Sequence, residues 1–292
     1  MRGRPGDDAV IRVAEEVREA TAVVALETTI VAHGFPPGEG VEVGIESEAR
    51  VRDAGAVPAT IGVLDGEIRV GLTADELARF TADVRKVGPR DLAACVASGE
   101  TGATTVGGTL AVCRHVGIRF MGTGGIGGVH RGERFDVSAD LLQLATTQAV
   151  VVSSGVKSLL DVDATSEVLE SLGVPVLGFR TETLPRFYDA EGGPSVSQRV
   201  ESAAEAAAIA KAHWELGGAG VLLANPPPDS IDVEELIDSA LEEAVALGTT
   251  GQSLTPFVLG RLHEQSRGQT LELNRELAAA NAQLAAELAV EF

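Results

Sequence analysis

Lys157 and Glu27 are the side chains whose surroundings best suit chemistry. The chain contains only three lysines, Lys86, Lys157 and Lys211, whereas arginine is frequent. An amine nucleophile has to be lysine, because a guanidinium stays protonated. Lys157 follows an apolar run and is expected near the amino end of a helix, where the helix dipole and burial both favour the neutral amine. It is therefore a candidate nucleophile, with a surface lysine capping that helix as the alternative.

Glu27 follows the apolar run Val24-Ala25-Leu26, which is typical of a buried strand, and leads into a loop that contains His33-Gly34. Open α/β sheets bind ligands at the carboxyl ends of their strands. Glu27 is thus well placed to contact a ligand. A salt bridge within the loop is the alternative, and the sequence favours neither.

Two further features could hold a phosphate and a metal ion. Glycines are concentrated in 102–109 and 122–128, and such loops let backbone N–H groups approach an anion. Ser138 is an apparent helix N-cap, which places Asp140 in the first helical turn. Asp136 precedes the helix and could hold a hard divalent ion that keeps most of its waters. The histidines lack the spacing of a zinc site.

The segment 122–127 also matches the dinucleotide fingerprint G-x-G-x-x-G. That fingerprint needs a following helix to hold the pyrophosphate. The next residues, 128–134, are rich in glycine and charge and do not suit a helix. A loop over a small phosphosugar is the better interpretation.

An α/β framework must position these residues. Short apolar runs alternate with longer Ala-, Leu- and Glu-rich segments, which predicts a layered α/β fold with a largely parallel central sheet. The predicted strands are 22–26, 57–64, 118–121, 149–153, 174–178 and 220–224. The predicted helices are 41–53, 73–82, 90–98, 107–115, 139–146, 158–172, 197–216 and 232–246.

The chain reads as a single domain over 1–292, with 1–20 as an N-terminal helix or flexible extension. Between 270 and 291 an apolar stripe recurs at helical spacing; its members are Leu273, Leu277, Ala280, Leu284 and Leu288. Packing of this stripe on its own domain is the favoured interpretation. A subunit interface is the alternative.

The charge balance narrows the possible partners. The chain carries 23 Lys and Arg against 43 Asp and Glu, a formal net charge of -20. The electric field of this net negative charge repels nucleic acid and anionic membranes, so neither is expected as a partner. A few Lys, Arg and backbone N–H groups close together can still hold one phosphate. The chain lacks a signal peptide and an apolar run of about 18 residues, so a cytoplasmic location is expected.

A series of motifs resembles the pseudouridine-5'-phosphate glycosidase family, which also contains the indigoidine-synthase A-like proteins. The motifs follow the family's order and span about 22–282. They are Ala25–Ile30 with His33-Gly34, Gly55–Ile61, Lys86-Val87 with Arg90-Asp91-Leu92, Gly102–Val106, Thr123–Gly132, Phe135–Leu141, Lys157-Ser158 and Ala224-Asn225-Pro226. The chain departs from the pattern at Gly88-Pro89, and 1–20 and 182–195 match poorly, which leaves loop contacts there open.

The resemblance implies an α/β/α fold, a homotrimer and a role in pseudouridine catabolism. The implied reaction is reversible cleavage of pseudouridine 5'-phosphate with water to uracil and ribose 5-phosphate. Lys157 would be the amine nucleophile and Glu27 the proton donor, and Asp136 would hold a divalent ion such as Mn²⁺. Substrate contacts are implied for Lys86, Val106, Ser138, Ala139 and Asp140, and positions near phosphate or base for Thr123, His130 and Asn274.

The residue types suit that chemistry. Pseudouridine joins its ribose to a carbon of uracil, and carbon is a poor leaving group. Capture of ring-opened ribose as a lysine imine would supply an electron sink, while a nearby acid protonates the uracil carbon.

Three other functions remain open. Another lysine-imine enzyme acting on a phosphosugar, such as an aldolase or lyase, would share Lys157 without needing a base pocket. A pigment-cluster role is suggested by the indigoidine name. A non-catalytic nucleotide sensor would use the glycine loops but would not depend on Glu27 or Lys157.

Overall fold

The computed structural model describes residues 10–132, 136–249 and 254–292. Its strands are β1 (Ile11–Val13), β2 (Val23–Glu27), β3 (Val57–Leu64), β4 (Glu67–Val70), β5 (Arg85–Val87), β6 (Gly102–Thr104), β7 (Phe120–Gly122), β8 (Val129–His130), β9 (Val150–Ser153), β10 (Leu160–Asp161), β11 (Val176–Phe179), β12 (Gln198–Val200) and β13 (Val221–Ala224). Its helices are α1 (Glu15–Glu19), α2 (Thr29–His33), α3 (Glu39–Asp53), α4 (Ala74–Leu77), α5 (Leu92–Ala97), α6 (Val106–Val116), α7 (Ala139–Ala145), α8 (Val162–Ser171), α9 (Ala203–Glu215), α10 (Glu234–Ala246), α11 (Leu254–Gln265) and α12 (Gln269–Glu291).

The main sheet is largely parallel, as predicted. Its central strands run in the order β3-β2-β7-β9-β13-β11-β12, and each neighbouring pair among them is parallel. At one end β4 pairs antiparallel with β3, and β1 extends the sheet beyond β4. The short strands β5 and β6 pair beside the carboxyl half of β3.

Each central strand sends alternate side chains to opposite faces of the sheet, because successive residues of a strand point in opposite directions. Val24 and Leu26 of β2 belong to the apolar cluster formed with α9 and α12. Ala25 between them belongs to the cluster formed with α6, α7 and α8. With helices on both faces of a mostly parallel sheet, the predicted layered α/β/α fold is confirmed.

The six predicted strands are all present, and 57–64 has the predicted bounds. Three helix predictions need correction. The segment 73–82 contains only the single turn α4, and 197–216 begins with the edge strand β12 before α9. The segment 158–172 becomes helical only at Val162, after the short strand β10. Edge strands of two to four residues lack the long apolar run that identifies a buried strand, which is why they were missed.

The prediction for 1–20 falls partly on residues 1–9, which lie outside the described part of the chain. Within 10–20 the structure has β1 followed by α1, a single helical turn. The motif residue Phe135 also lies outside the described residues. Among those described, no helix is both long and apolar enough to cross a bilayer.

The C-terminal helix α12 packs inside the chain, against α3, α9 and the strands β2, β7 and β9. Leu273, Leu277, Leu284 and Leu288 are buried as predicted. Ala280 is the exception, because it is exposed and the next residue faces the sheet in its place. That residue is Asn281, which is fully buried.

Candidate active site

Three neighbouring strands bring polar residues together at their carboxyl ends. Glu27 is the last residue of β2, and Thr123 directly follows β7. Lys157 lies in the loop after β9, on the other side of β7. These three side chains line one cavity, together with Lys86 of β5 and Asn274 of α12. The carboxyl edge of a parallel sheet is where such folds bind ligands.

The carboxylate of Glu27 is buried and held by two hydroxyl groups. Thr123 Oγ1 donates to Glu27 Oε1 at 2.5 Å, and Thr29 Oγ1 donates to Glu27 Oε2. Glu27 is only 4% exposed, and a buried carboxylate is costly unless it is hydrogen-bonded. The alternative of a loop salt bridge is wrong, since no basic side chain pairs with Glu27 within the described residues.

Lys157 is positioned by backbone contacts in a turn. Its N–H donates to the carbonyl of Ile126 at 3.1 Å, and its own carbonyl accepts from Leu160 N at 2.9 Å. The expectation that it starts a helix is wrong, because α8 begins only at Val162. The helix dipole therefore has no direct part in its environment. Gly155 makes this turn possible, since it has φ +80° and a Cβ there would lie 1.9 Å from the carbonyl oxygen of Pro185.

The environment of Lys86 disfavours its positive charge. Burial lowers the pKa of Lys86, and the neighbouring Lys157 lowers it further, against the opposing charges of Asp140 and Glu27. His33 lines the same cavity. Burial and the charge of Lys86 lower the pKa of His33 as well. The cavity therefore holds one amine, that of Lys86, and one imidazole, that of His33, whose pKa values both lie below their ordinary values.

Asp140 joins the two glycine-rich segments. Its Oδ1 accepts from the N–H of Gly107 at 2.7 Å, and its Oδ2 accepts from the N–H of Gly127 at 2.9 Å. The side chain is buried. Gly107 lies in the first turn of α6, and Gly127 lies in the loop after β7. The carboxylate thus acts as a clamp between segments that are far apart in the sequence, in addition to its predicted place at the substrate site.

Four other predicted site residues lie close in the sequence to the residues of this clamp but do not line the cavity. Val106 is the buried first residue of α6, and Ser138 is the N-cap of α7, where its Oγ accepts from Asp140 N at 3.2 Å. Ala139 is exposed at the start of α7. His130 lies in β8, which follows the 122–128 loop directly. A strand there, in place of a helix, confirms that the loop is not a dinucleotide fingerprint.

Asp136 is exposed, and its backbone carbonyl accepts from His130 N at 2.9 Å. Over residues 10–132, 136–249 and 254–292, no three His, Cys, Asp or Glu side chains cluster as a metal cage. A single carboxylate of this kind could hold a hard divalent ion that keeps most of its water ligands. The metal site expected at Asp136 stays a prediction.

Sequence reasoning missed two residues that shape the site. Asn281 of α12 donates through Nδ2 to the carbonyl of Thr123 at 2.8 Å and to Ser154 Oγ at 3.1 Å. Its Oδ1 accepts from Asn225 Nδ2 at 2.9 Å. Asn274 and Asn281 are seven residues apart, so both face the sheet, and asparagine is unfavourable inside a helix. The seven-residue spacing of the two asparagines was the sequence signal that could have identified Asn281.

Phe187 is the second missed residue. It lines the cavity with φ +67°, a backbone conformation that is uncommon for a bulky side chain. Its ring leaves no space for a side chain at position 125, because a Cβ added to Gly125 would lie 2.6 Å from a ring carbon of Phe187. Phe187 falls in the segment 182–195, where the resemblance was weakest, so the sequence offered no signal for it.

The family model described as "Indigoidine synthase A like protein" matches residues 12–291. The chain belongs to this family. Similar relatives include proteins named pseudouridine-5'-phosphate glycosidase from Nocardioides sp. and Deinococcus radiodurans. The first is 47% identical over 96% of this chain and 94% of its own length, and the second is 47% identical over 96% and 93%. The resemblance found from the motifs is confirmed.

Two solved structures are also similar to this chain. An indigoidine synthase A-like protein from Thermotoga maritima superposes with a TM-score of 0.89 at 38% identity, covering 99% of this chain and 98% of its own. A prealnumycin C-glycosynthase in complex with ribulose 5-phosphate superposes with a TM-score of 0.88 at 36% identity, covering 97% of both chains. Members of the fold thus include an enzyme of C-glycoside chemistry with a bound phosphosugar.

Proposed function

We propose that this enzyme reversibly cleaves the carbon–carbon glycosidic bond of pseudouridine 5'-phosphate, yielding uracil and ribose 5-phosphate. The observation that carries the proposal is that Glu27 and Lys157 face one cavity at the carboxyl ends of β2 and β9, the two strands that flank β7. The names of the relatives support the substrate, and the phosphosugar bound by the C-glycosynthase is consistent with the product. The role would be in pseudouridine catabolism.

The proposed reaction uses the amine of Lys157 as nucleophile. The neutral amine bonds to C1' of the ribose while the bond from C1' to the ring oxygen breaks, and the ring oxygen takes up the proton that the nitrogen loses. The nitrogen lone pair then forms an imine as the bond between C1' and the uracil carbon breaks, and Glu27 protonates that carbon. Water hydrolyses the imine, which releases ribose 5-phosphate and the free lysine.

The proposed part of Lys86 is electrostatic. Its charge would attract the phosphorylated substrate. The phosphate would lie against backbone N–H groups of the glycine loops and the start of α6 at Val106. Asn274, Thr123 and His130 would contact the remaining polar groups of the substrate, as would the 138–140 segment.

Asp136 would hold the divalent ion, with Mn²⁺ as the expected metal. Such an ion orients a polar substrate and stabilises developing negative charge. The Asp136→Asn variant should need more Mn²⁺ for half-maximal activity, and its Mn²⁺ affinity measured by electron paramagnetic resonance should fall. Unchanged affinity would place the ion elsewhere.

Uracil release measured by chromatography tests the function. The protein is incubated with pseudouridine 5'-phosphate and Mn²⁺, beside Lys157→Ala and the control Lys211→Ala, whose side chain is exposed on α9. Uracil should form with wild type and Lys211→Ala and not with Lys157→Ala. Borohydride with ribose 5-phosphate should trap a covalent adduct only when Lys157 is present.

Uracil formation by Lys157→Ala would overturn the imine mechanism. Absence of uracil with folded, metal-loaded wild type would overturn the substrate assignment, and a phosphosugar lyase would then be the next function to test. The homotrimer, which the resemblance implies, and the cytoplasmic location, which was expected from the sequence, both stay predictions.

A further inference from the structure

Glu27 lies between two cavities. One is the candidate active site, and the other lies between α3, the ends of β2 and β7, and α12. This second cavity has a volume of about 20 Å³ and is lined on its polar side by Glu27, Ser47, Thr60 and Thr123. A polar cavity of at least ~10–15 Å³ can hold one water molecule. A water there would be close to the carboxylate of Glu27 on the side away from the substrate.

Thr60 connects this cavity to the half-buried carboxyl group of Glu48. Thr60 lies in β3, where it pairs with Leu26, the neighbour of Glu27. Its Oγ1 donates to Glu48 Oε1 at 2.5 Å. A hydroxyl group can accept one hydrogen bond while it donates another, so Thr60 can bond to Glu48 and to a cavity water together.

Glu48 is suited to carry a proton. Burial raises the pKa of Glu48, although the hydrogen bond from Thr60 and the charge of Arg52 oppose that change. The groups around it are the carboxylate of Glu16 and the guanidinium of Arg52, which form a 2.8 Å ion pair about half exposed to solvent. Glu48 thus stands between the surface and the internal cavity.

We infer that Glu48, Thr60 and a water in this cavity form a proton relay that connects Glu27 with solvent from behind the substrate. The inference rests on the proposed function, because it takes Glu27 as the acid. A protonated Glu48 donates to Thr60 Oγ1, Thr60 donates its own proton to the water, and the water donates to Glu27. Glu48 then regains a proton from solvent, so one proton enters for each proton that Glu27 gives to uracil.

Isotope exchange at equilibrium tests the relay. Uracil labelled with deuterium on C5 and with ¹³C in its ring is incubated with ribose 5-phosphate and enzyme in ordinary water. In the reverse reaction Glu27 takes the deuteron from C5. A working relay exchanges that deuteron with solvent before the new carbon–carbon bond breaks again, so deuterium loss should outpace ¹³C transfer between uracil and pseudouridine 5'-phosphate.

Two variants interrupt the relay, and each has a matched control. In Glu48→Gln and Thr60→Val, deuterium loss should no longer outpace ¹³C transfer, and kcat should fall about tenfold, less than the ~10²–10⁴-fold typical for loss of a general acid. Thr60→Ser retains the hydroxyl and should restore the excess. Glu42→Gln, an exposed position of α3, should behave as wild type.

The relay would be overturned if deuterium loss outpaced ¹³C transfer in Glu48→Gln and Thr60→Val by as much as in wild type. It would also be overturned if deuterium loss did not outpace ¹³C transfer in wild type. These outcomes differ from failure of the proposed function, in which wild type would catalyse no ¹³C transfer at all. A merely structural role for Glu48 would lower both exchange rates together and leave their ratio unchanged.

Discussion

The hydroxyl of Thr123 donates a 2.5 Å hydrogen bond to the carboxylate of Glu27 and thereby joins the ends of β7 and β2. The two residues are 96 positions apart in the sequence. Asn281 holds the carbonyl of the same Thr123 from α12. Glu27, the candidate acid, is therefore positioned by two successive contacts. Asn281 of α12 holds the backbone of Thr123, and the hydroxyl of Thr123 holds the carboxylate of Glu27.

The Thr123→Val variant should retain the fold and lose activity. Valine preserves the shape but leaves one oxygen of Glu27 without its donor, and hydrogen bonds to charged groups contribute about 1.5–3 kcal/mol. We expect kcat for uracil release to fall roughly tenfold or more. Thr123→Ser should stay near wild type, and an unchanged kcat in Thr123→Val would show that this hydrogen bond does not position Glu27.

The Asp140→Asn variant should loosen both glycine loops. The side chain of asparagine has only one oxygen. Its NH2 group would therefore face the backbone N–H of either Gly107 or Gly127, and that hydrogen bond would be lost. We expect a loss of about 1–3 kcal/mol in the free energy of unfolding, together with a higher KM. Urea unfolding beside Asp163→Asn, an exposed residue in the first turn of α8, provides the comparison, and equal stabilities would contradict the clamp.

The Lys86→Met variant should be more stable than wild type and less active. Burial and Lys157 lower the pKa of Lys86 in the folded state, so between the folded and unfolded pKa values the unfolded chain binds more protons. Wild-type stability then rises with pH across that window. The advantage of Lys86→Met should be greatest below the folded pKa and should shrink towards the unfolded pKa of about 10.4.

Thermal unfolding from neutral to alkaline pH checks this, with KM measured at the neutral end. Lys211→Met serves as the exposed control and should show no pH-dependent gain. A stability gain for Lys86→Met that grows with pH would have the wrong sign and would contradict the burial of a charged amine.

The Gly127→Ala variant should damage the site directly. A Cβ at Gly127 would lie 2.3 Å from Ser138 Oγ and 2.7 Å from Asp140 Oδ2. Because a shift of Asp140 Oδ2 would weaken the clamp and a shift of Ser138 Oγ would disturb the N-cap of α7, we expect a cost of about 1–3 kcal/mol, as for other overpacked sites. In Gly260→Ala the new Cβ meets no described atom within 4 Å, and helix α11 should gain slightly in stability. Similar effects in both variants, measured by thermal unfolding, would refute close packing at Gly127.

The sequence by itself predicted the central framework and proposed the candidate catalytic residues. Strand 57–64 was predicted with its observed bounds, because a strand buried on both faces has a continuous apolar run. Glu27 and Lys157 were chosen as candidates from their residue types and their positions after such runs, and the motifs identified the family. These signals are local, so a single sequence carries them.

Only the tertiary structure decided which groups meet. Lys157 was expected at a helix start, but a turn and the short strand β10 come first. The predicted apolar stripe included Ala280 instead of Asn281, because a pattern of three- and four-residue steps does not settle which of two adjacent residues faces the sheet. The bonds from Asn281 to Thr123 and from Thr60 to Glu48 join different elements. Such contacts depend on strand order and helix packing, which no local pattern specifies.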